Sequence, residues 1–260
     1  MRIGICASVE KAAVAKAAGF EYIEEGVQRL LVPESPDEEY APRRDAAGGC
    51  GLPVEAACGL LPGDLKCVGQ EADTERFKKY IEAALPRAAE VGIKTVVFGS
   101  GGARKVPEGF ARDEAADQFV DRLREMAPVA EKTGVTVVVE PLNSKECNFI
   151  NSLAEGADLV RRADHPRIRL LADIYHMLMD GEGPEEIAAH APLIAHCHVA
   201  EHEGRRAPGT AAEDLRPYLR ALVDAGYKGG ISVECRWDDL AAEAGGAVTS
   251  LKAQLADVGG

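Results

Sequence analysis

The chain has 260 residues, a length that suits one eight-unit α/β barrel of about 250 residues. Hydrophobic residues make up 46% and charged residues 28%, which excludes a disordered chain. With 43 acidic against 30 basic side chains, the net charge is −13, and such a field repels phosphate backbones and anionic lipid surfaces. We therefore expect neither a nucleic-acid partner nor a membrane partner.

Cysteine usage and the first residues predict a cytoplasmic location. The 7 cysteines are scattered and form no CxxC pair, so we interpret them as reduced thiols. The first residues resemble the start of a strand rather than an apolar signal segment followed by a cleavage site. No run reaches the ~18 consecutive apolar residues that a membrane span needs.

A short β-rich run followed by a helical pattern recurs along the chain. The predicted strands are residues 2–7, 22–27, 54–60, 95–99, 135–142, 168–174, 194–199 and 230–235. The predicted helices are residues 9–18, 74–91, 112–132, 152–162, 184–190, 212–225 and 240–258. Residues 33–53 are rich in proline, glycine and charge, and we expect a long loop there with at most a short helix.

Strands that alternate with helices predict the α/β class and a parallel (β/α)8 TIM barrel. No linker interrupts the pattern, so we expect residues 1–260 to form a single domain. An open doubly wound sheet is the alternative. Such a sheet usually has fewer strands and a glycine-rich first turn, whereas the first turn here reads Cys-Ala-Ser-Val.

Four successive predicted strands finish with an ionisable residue after a nearly uncharged apolar run. These residues are Glu140, Asp173, the His196/His198 pair and Glu234. In a barrel they would converge at the carboxyl ends of the strands, where function resides. Three neighbouring carboxylates need a cation to stay ionised, and three oxygen donors with one nitrogen suit Mn²⁺, Mg²⁺, Co²⁺ or Zn²⁺. His196 faces the same side as His198, and we expect it to lie deeper and to be structural.

Five motifs give the chain a family resemblance. They are VEPLN at 139–143, LADIYH at 171–176, HCHVAE at 196–201, GRRAPGT at 204–210 and SVE at 232–234. With these motifs the chain resembles the xylose isomerase-like superfamily of sugar isomerases and epimerases, which includes tagatose 3-epimerase-like enzymes and hydroxypyruvate isomerase. The barrel pattern extends this resemblance over essentially the whole chain.

The resemblance implies an enzyme that holds one divalent metal ion through four residues. Carried over by motif, these ligands are Glu140, Asp173, His198 and Glu234. It also implies that Glu140 and Glu234 act as an acid/base pair. One of them removes the proton beside the carbonyl of a small sugar-like substrate and the other returns a proton elsewhere, while the metal stabilises the enediolate.

The resemblance further implies that His176 and Arg205 contact substrate oxygens, while Glu146 matches a family acid that supports substrate binding or proton transfer. For Glu146 a solvated loop acid is the alternative. The glycine-rich loop at 99–105 is either a flexible turn or a loop that approaches substrate, with Arg104 or Lys105 recognising an anionic group. Together with a cationic Arg236, it favours an acidic or phosphorylated substrate.

Other functions stay open on the sequence alone. A metal-dependent lyase, of the inosose or dehydroshikimate dehydratase type, would use the same site. A non-catalytic metal-binding or sensor barrel is also possible. An apurinic-site endonuclease is disfavoured, because it needs histidines from earlier strands and a basic face, whereas all 6 histidines lie at or beyond His165 and the charge is −13. Membership of the superfamily makes a homo-oligomer possible.

Overall fold

Eight parallel strands close a barrel in chain order, with β8 pairing back onto β1. This arrangement comes from a computed structural model that describes residues 1–260. The strands are β1 (Arg2–Cys6), β2 (Tyr22–Gly26), β3 (Val54–Cys58), β4 (Thr95–Phe98), β5 (Thr136–Val139), β6 (Ile168–Asp173), β7 (Ile194–Val199) and β8 (Gly230–Val233). The predicted (β/α)8 TIM barrel is therefore confirmed, and the open doubly wound sheet is wrong. That the chain forms a single domain stays a prediction.

Helices alternate with the strands, and neighbouring helices pack side by side around the barrel. They are α1 (Ala12–Ala18), α2 (Val27–Leu30), α3 (Asp37–Gly49), α4 (Thr74–Val91), α5 (Gly101–Arg104), α6 (Arg112–Thr133), α7 (Leu153–Ala163), α8 (Ile174–Asp180), α9 (Glu185–His190), α10 (Arg216–Asp224) and α11 (Leu240–Asp257). None of these helices has the length and apolar content needed to cross a membrane.

The strands are apolar on both faces because the barrel interior and the helical layer each bury one face. β4 reads TVVF and β5 reads TVVV, and the last three residues of each are buried. Most of the buried charged residues occur instead at or just beyond the ends of β5, β6 and β7, and on β2, while Arg104 and Arg122 are buried in α5 and α6. Most polar exceptions to the apolar core thus lie in the barrel interior and at the carboxyl ends of its strands.

The segment expected to be a long loop contains the 13-residue helix α3, so that prediction is wrong. The sequence pattern did not indicate this helix, because Pro42 lies inside it and few of its residues are buried. The buried Tyr40 anchors α3, since its hydroxyl donates to the Arg87 carbonyl at 2.9 Å and the Arg87 guanidinium stacks 4.7 Å from its ring. Tertiary contacts therefore stabilise a helix that local preference does not favour.

The helix expected at 212–225 begins only at Arg216. Before it, residues 207–215 form a loop in which Ala212 adopts a left-handed φ of 55°. The buried carboxylate of Glu201 holds this loop by accepting hydrogen bonds from the backbone of Gly209 at 2.7 Å and of Glu213 at 3.2 Å. Glu201 thus shapes the segment that follows β7, close to the barrel mouth.

Candidate metal centre and active site

The four residues expected to bind metal meet at the carboxyl ends of four adjacent strands. Asp173 and His198 belong to β6 and β7, while Glu140 and Glu234 directly follow β5 and β8. One ligand atom from each of the four lies within 4.8 Å of the others. The structure therefore brings together every member of the predicted ligand set.

His198 lies at the centre of this cluster. Its Nδ1 is 3.0 Å from Glu140 Oε1, 3.4 Å from Glu234 Oε2 and 3.8 Å from Asp173 Oδ2. Of the two Asp173 oxygens, Oδ1 accepts a hydrogen bond from the Tyr175 backbone at 2.8 Å, while the buried Oδ2 has no hydrogen-bond partner. A buried, unpartnered carboxylate oxygen beside two further carboxylates is unfavourable without a cation. The donor set therefore fits a divalent metal ion.

The two glutamates of the cluster differ in their affinity for protons. Burial raises the pKa of Glu140, and the charges of Glu234 and Asp173 raise it further, whereas the hydrogen bond with His198 lowers it without cancelling the rise. Burial would also raise the pKa of Glu234, but the charges of His198 and Arg205 outweigh it and hold that pKa at about 2. Two carboxyl groups with different proton affinities at one site are typical of acid/base chemistry.

Arg205 reaches the cluster from the loop after β7. Its Nη2 makes an ion pair with Glu234 Oε2 and lies 3.8 Å from Asp173 Oδ2, and its Nη1 lies 3.6 Å from Glu146 Oε1. The guanidinium carbon is 4.6 Å from the centre of the Tyr175 ring. One cation thus faces three carboxylates, those of Glu234, Asp173 and Glu146.

His176 is fixed by Asn143, a residue for which the sequence indicated no role. The backbone and side-chain amides of Asn143 lie 3.2 Å and 2.8 Å from His176 Nδ1. Because the backbone N–H can only donate, Nδ1 accepts and the proton resides on Nε2, which is 3.5 Å from Asp173 Oδ2. Asn143 also donates to Glu146 Oε1 at 3.0 Å, so it positions two of the three residues predicted to contact substrate.

The glycine-rich loop after β4 packs against the ends of the strands that carry the site. Arg104 is fully buried and donates to the backbone carbonyls of Phe98 at 3.0 Å and Glu140 at 2.6 Å. The expectation that Arg104 recognises an anionic substrate group is therefore wrong, whereas the same role for the exposed Lys105 stays a prediction. Gly99 leaves space for the Glu140 carboxylate, because a Cβ there would lie 1.7 Å from Glu140 Oε2.

Glu24 on β2 is a buried acid that the sequence reasoning missed. Its Oε1 lies 2.8 Å from His198 Nε2 and its Oε2 lies 2.8 Å from His196 Nε2. Burial would raise the pKa of Glu24, but the two imidazoles outweigh it and hold that pKa well below its usual range. Two successive acids inside a predicted strand, Glu24 and Glu25, were the available signal. The buried His196 lies inside the barrel, as the strand alternation predicted.

Comparison with known proteins assigns the family. The model of the xylose isomerase-like TIM barrel matches residues 12–255, and the chain belongs to this family. A putative hydroxypyruvate isomerase from Danio rerio is 28% identical over 181 residues, which cover 66% of this chain and 64% of that protein. The chain thus spans slightly less than two thirds of that relative's length.

Two further relatives are described as epimerases. The 3-dehydro-D-guloside 4-epimerase of Escherichia coli K12 is 30% identical over 195 residues, covering 72% of this chain and 73% of that protein. The crystal structure of 3-keto-D-glucoside 4-epimerase from E. coli, apo form, has a TM-score of 0.82 at 26% identity and covers 97% of this chain and 99% of that one. These three relatives are described as an isomerase, named as putative, and as epimerases, and the chain is an enzyme.

Proposed function

We propose that this enzyme is a divalent-metal-dependent isomerase or epimerase of a small, sugar-like hydroxy-carbonyl compound. The observation that carries the proposal is the convergence of Glu140, Asp173, His198 and Glu234 within 4.8 Å at the barrel mouth. The relatives add support, because their names describe isomerisation of hydroxypyruvate and epimerisation of keto-sugar derivatives.

The four clustered residues would hold one ion of Mn²⁺, Mg²⁺, Co²⁺ or Zn²⁺. The Oδ2 atom of Asp173 supports this assignment, since this oxygen is buried and has no hydrogen-bond partner. When bound, the ion supplies Lewis-acid polarisation of the substrate carbonyl and makes the neighbouring C–H more acidic.

Glu140 and Glu234 carry the proton transfers in this proposal. They follow β5 and β8 and contact His198 Nδ1 at 3.0 Å and 3.4 Å. One carboxylate removes the proton from the carbon beside the carbonyl, and the other returns a proton. Return to the opposite face of the same carbon gives an epimer, whereas return to the neighbouring carbon gives an isomer.

Arg205, His176 and Glu146 bind the substrate in this proposal. Arg205 and the Nε2–H of His176 donate hydrogen bonds to substrate oxygens, and the guanidinium stabilises the negative charge that develops on one of them. Glu146 accepts from a substrate hydroxyl, because Asn143 and Arg205 hold its carboxylate at the edge of the site at 3.0 Å and 3.6 Å.

Proton exchange measured by NMR tests the reaction. Metal-loaded enzyme is incubated in D₂O with hydroxypyruvate, a panel of ketoses and inososes. Deuterium that enters beside the carbonyl while an isomer or epimer accumulates supports the proposal, and a dehydrated product identifies the lyase instead. Protein that binds one metal ion and exchanges no proton in any of these compounds would contradict the enzyme activity proposed here.

Metal content tests the ligand set separately. We expect Asp173→Ala to lose stoichiometric Mn²⁺, measured by elemental analysis after dialysis. The exposed Asp224, on the last turn of α10, gives the matched control Asp224→Ala, which should keep one ion per chain. Unchanged stoichiometry and affinity in Asp173→Ala would mean that the ligands are assigned wrongly.

We also propose that residues 1–260 form one domain that acts in the cytoplasm on a small molecule and can assemble as a homo-oligomer. Limited proteolysis tests the single domain, because it should yield no stable fragment. Light scattering coupled to size-exclusion chromatography tests the oligomer, with a mass of 27.6 kDa expected for one chain. A mass of one chain at all concentrations would contradict the oligomer.

A further inference from the structure

A single buried carboxylate joins the two histidines of β7. Glu24 is inaccessible to solvent, and its two oxygens lie 2.8 Å from His198 Nε2 and 2.8 Å from His196 Nε2. Because β2 and β7 are not neighbours in the barrel, Glu24 makes these contacts across the interior. The carboxylate therefore meets the nitrogen of the His198 ring that faces away from Glu140, Asp173 and Glu234.

The directions of these hydrogen bonds follow from the groups involved. An ionised carboxylate only accepts, so each imidazole must donate through the nitrogen that faces Glu24. His198 therefore carries a proton on Nε2. The other ring nitrogen, Nδ1, faces the carboxylates of Glu140, Glu234 and Asp173 and donates to Glu140 Oε1 at 3.0 Å, and a divalent ion held by these carboxylates would replace the proton on Nδ1.

Glu24 is itself held in place. His196 fixes its second oxygen, and Ser232 Oγ lies 3.3 Å from His196 Nε2 and 2.9 Å from the hydroxyl of Tyr22. The rings of His196 and His198 meet edge to face, with centroids 5.2 Å apart. This buried network leaves the Glu24 carboxylate little freedom to turn away from His198.

We propose that Glu24 is a positioning residue that fixes the His198 ring with its proton on Nε2 and its Nδ1 directed at the metal. The inference rests on the metal site of the proposed function. A metal-binding imidazole commonly donates its second N–H to a carboxylate, which fixes the ring orientation and makes the ligating nitrogen more basic. Here the carboxylate is shared, so His196 serves to hold Glu24 rather than the metal.

Metal affinity of a near-isosteric variant tests the inference. We expect Glu24→Gln to weaken Mn²⁺ binding about 10–100-fold. The amide oxygen can accept from one imidazole, but the amide NH2 group cannot accept from the other. Glu25→Gln is the matched control, because Glu25 is a buried acid on the same strand whose carboxylate binds Arg29 and the Val9 backbone instead. Its Kd for Mn²⁺, measured by electron paramagnetic resonance titration, should equal that of wild type.

A spectroscopic readout separates positioning from general destabilisation. In the wild-type protein loaded with Zn²⁺ and labelled with ¹⁵N-histidine, we expect His198 to show a protonated Nε2 and a metal-bound Nδ1. The resonance is assigned by its loss in His198→Asn, and the measurement needs no Glu24 variant to fold. In folded Glu24→Gln loaded with Co²⁺, the visible absorption bands should shift.

The outcomes separate this inference from the proposed function. If Glu24→Gln has the wild-type Kd, or if wild type binds metal through Nε2 of His198, the role proposed for Glu24 is overturned. The proposed reaction is not affected by either result. Wild-type protein that binds one ion but catalyses no exchange overturns the proposed reaction, while the weakened affinity of Glu24→Gln still supports positioning. Wild-type protein that binds no divalent ion overturns both.

Discussion

Arg205 and Glu234 form an ion pair at the edge of the candidate site. The guanidinium contacts the Glu234 carboxylate, and Arg205 Nε donates to the Glu234 backbone carbonyl at 3.3 Å. Arg205 adopts a left-handed φ of 53°, a conformation that is costly for a residue with a side chain. The surrounding contacts therefore hold Arg205 in a strained conformation that directs its guanidinium at the site.

Replacing Arg205 by lysine tests this arrangement. Arg205→Lys keeps the charge but removes the planar fork, so we expect kcat/KM to fall about 100-fold or more on the best substrate of the panel. The control is Arg206→Lys, because the neighbouring Arg206 pairs with Asp238, which is largely exposed. Steady-state kinetics should show wild-type values for Arg206→Lys, and equal values for both variants would contradict the role of Arg205.

Gly99 provides a test that separates the site from the fold. An alanine Cβ there would lie 1.7 Å from Glu140 Oε2, and the flexible carboxylate can move away more easily than the backbone. We expect Gly99→Ala to weaken Mn²⁺ binding at least tenfold, while Tm stays within about 3 °C of wild type.

The control for Gly99→Ala is a glycine with open space around it. A Cβ at Gly48, in α3, would meet no atom within 4 Å. Gly48→Ala should therefore leave metal affinity unchanged, and Tm should stay the same or rise because alanine favours the helix. If Gly99→Ala lowered Tm well beyond this range as well as weakening metal binding, Gly99 would serve the fold rather than Glu140.

Arg104 is expected to stabilise the fold. Its guanidinium satisfies the buried carbonyls of Phe98 and Glu140, which its removal would leave unpaired beside a cavity. We expect Arg104→Ala to lower the free energy of unfolding by about 3 kcal/mol or more, measured by urea denaturation. Lys105→Ala, at the exposed next residue, should change it by less than about 0.5 kcal/mol. Equal stability of the two variants would contradict this account.

Glu182 is expected to make stability depend on pH. Burial, aided by the charges of Glu186 and Asp180, raises its pKa to about 7 from an ordinary 4.5, despite the hydrogen bond from the Leu153 backbone. Between these two values the folded chain keeps a proton that the unfolded chain releases. The contribution of Glu182 to stability is therefore full at low pH, falls as the pH rises through this window, and stays lost above it.

The variant Glu182→Gln should remove this dependence, because the amide oxygen can still accept from the Leu153 backbone, which donates to Glu182 Oε1 at 2.8 Å. At pH 8.5 we expect it to exceed wild type in unfolding free energy by about 1 kcal/mol, a value discounted for the partial exposure of Glu182. At pH 4 the two proteins should be equally stable. The exposed Glu82, in α4, gives the control Glu82→Gln, which should follow the wild-type curve. If the unfolding free energies of Glu182→Gln and wild type differed by the same amount at both pH values, the raised pKa of Glu182 would be contradicted.

Local patterns were enough to predict the barrel and the four clustered residues. Glu140 and Glu234 each end an apolar run, and parallel strands bring such ends together whatever the loops do. The sequence could not reveal Glu24 in the same way, because its partners His196 and His198 come from a strand across the barrel. Such a contact depends on the closed barrel and leaves no short-range spacing in the chain.

Loop conformation was the other feature that the sequence could not supply. Arg104 lies among glycines, a composition typical of exposed turns, yet α5 turns its side chain inward to the end of β5. Helix α3 contains Pro42 and few buried residues, so its stability depends on tertiary contacts such as Tyr40 with Arg87. In both cases the deciding partners are distant in sequence, and propensity alone favours the wrong state.

Solvent exchange in the glutamine variants of Glu140 and Glu234 shows whether these two residues transfer protons at one metal-binding site. Deuterium incorporation beside the carbonyl is followed by NMR in Glu140→Gln, Glu234→Gln and the control Glu82→Gln, each at saturating Mn²⁺ with bound metal measured. Both site variants should retain the fold and lose at least 99% of the exchange rate, a loss of 100-fold or more, while the control keeps the wild-type rate. Wild-type exchange in either site variant would contradict the account.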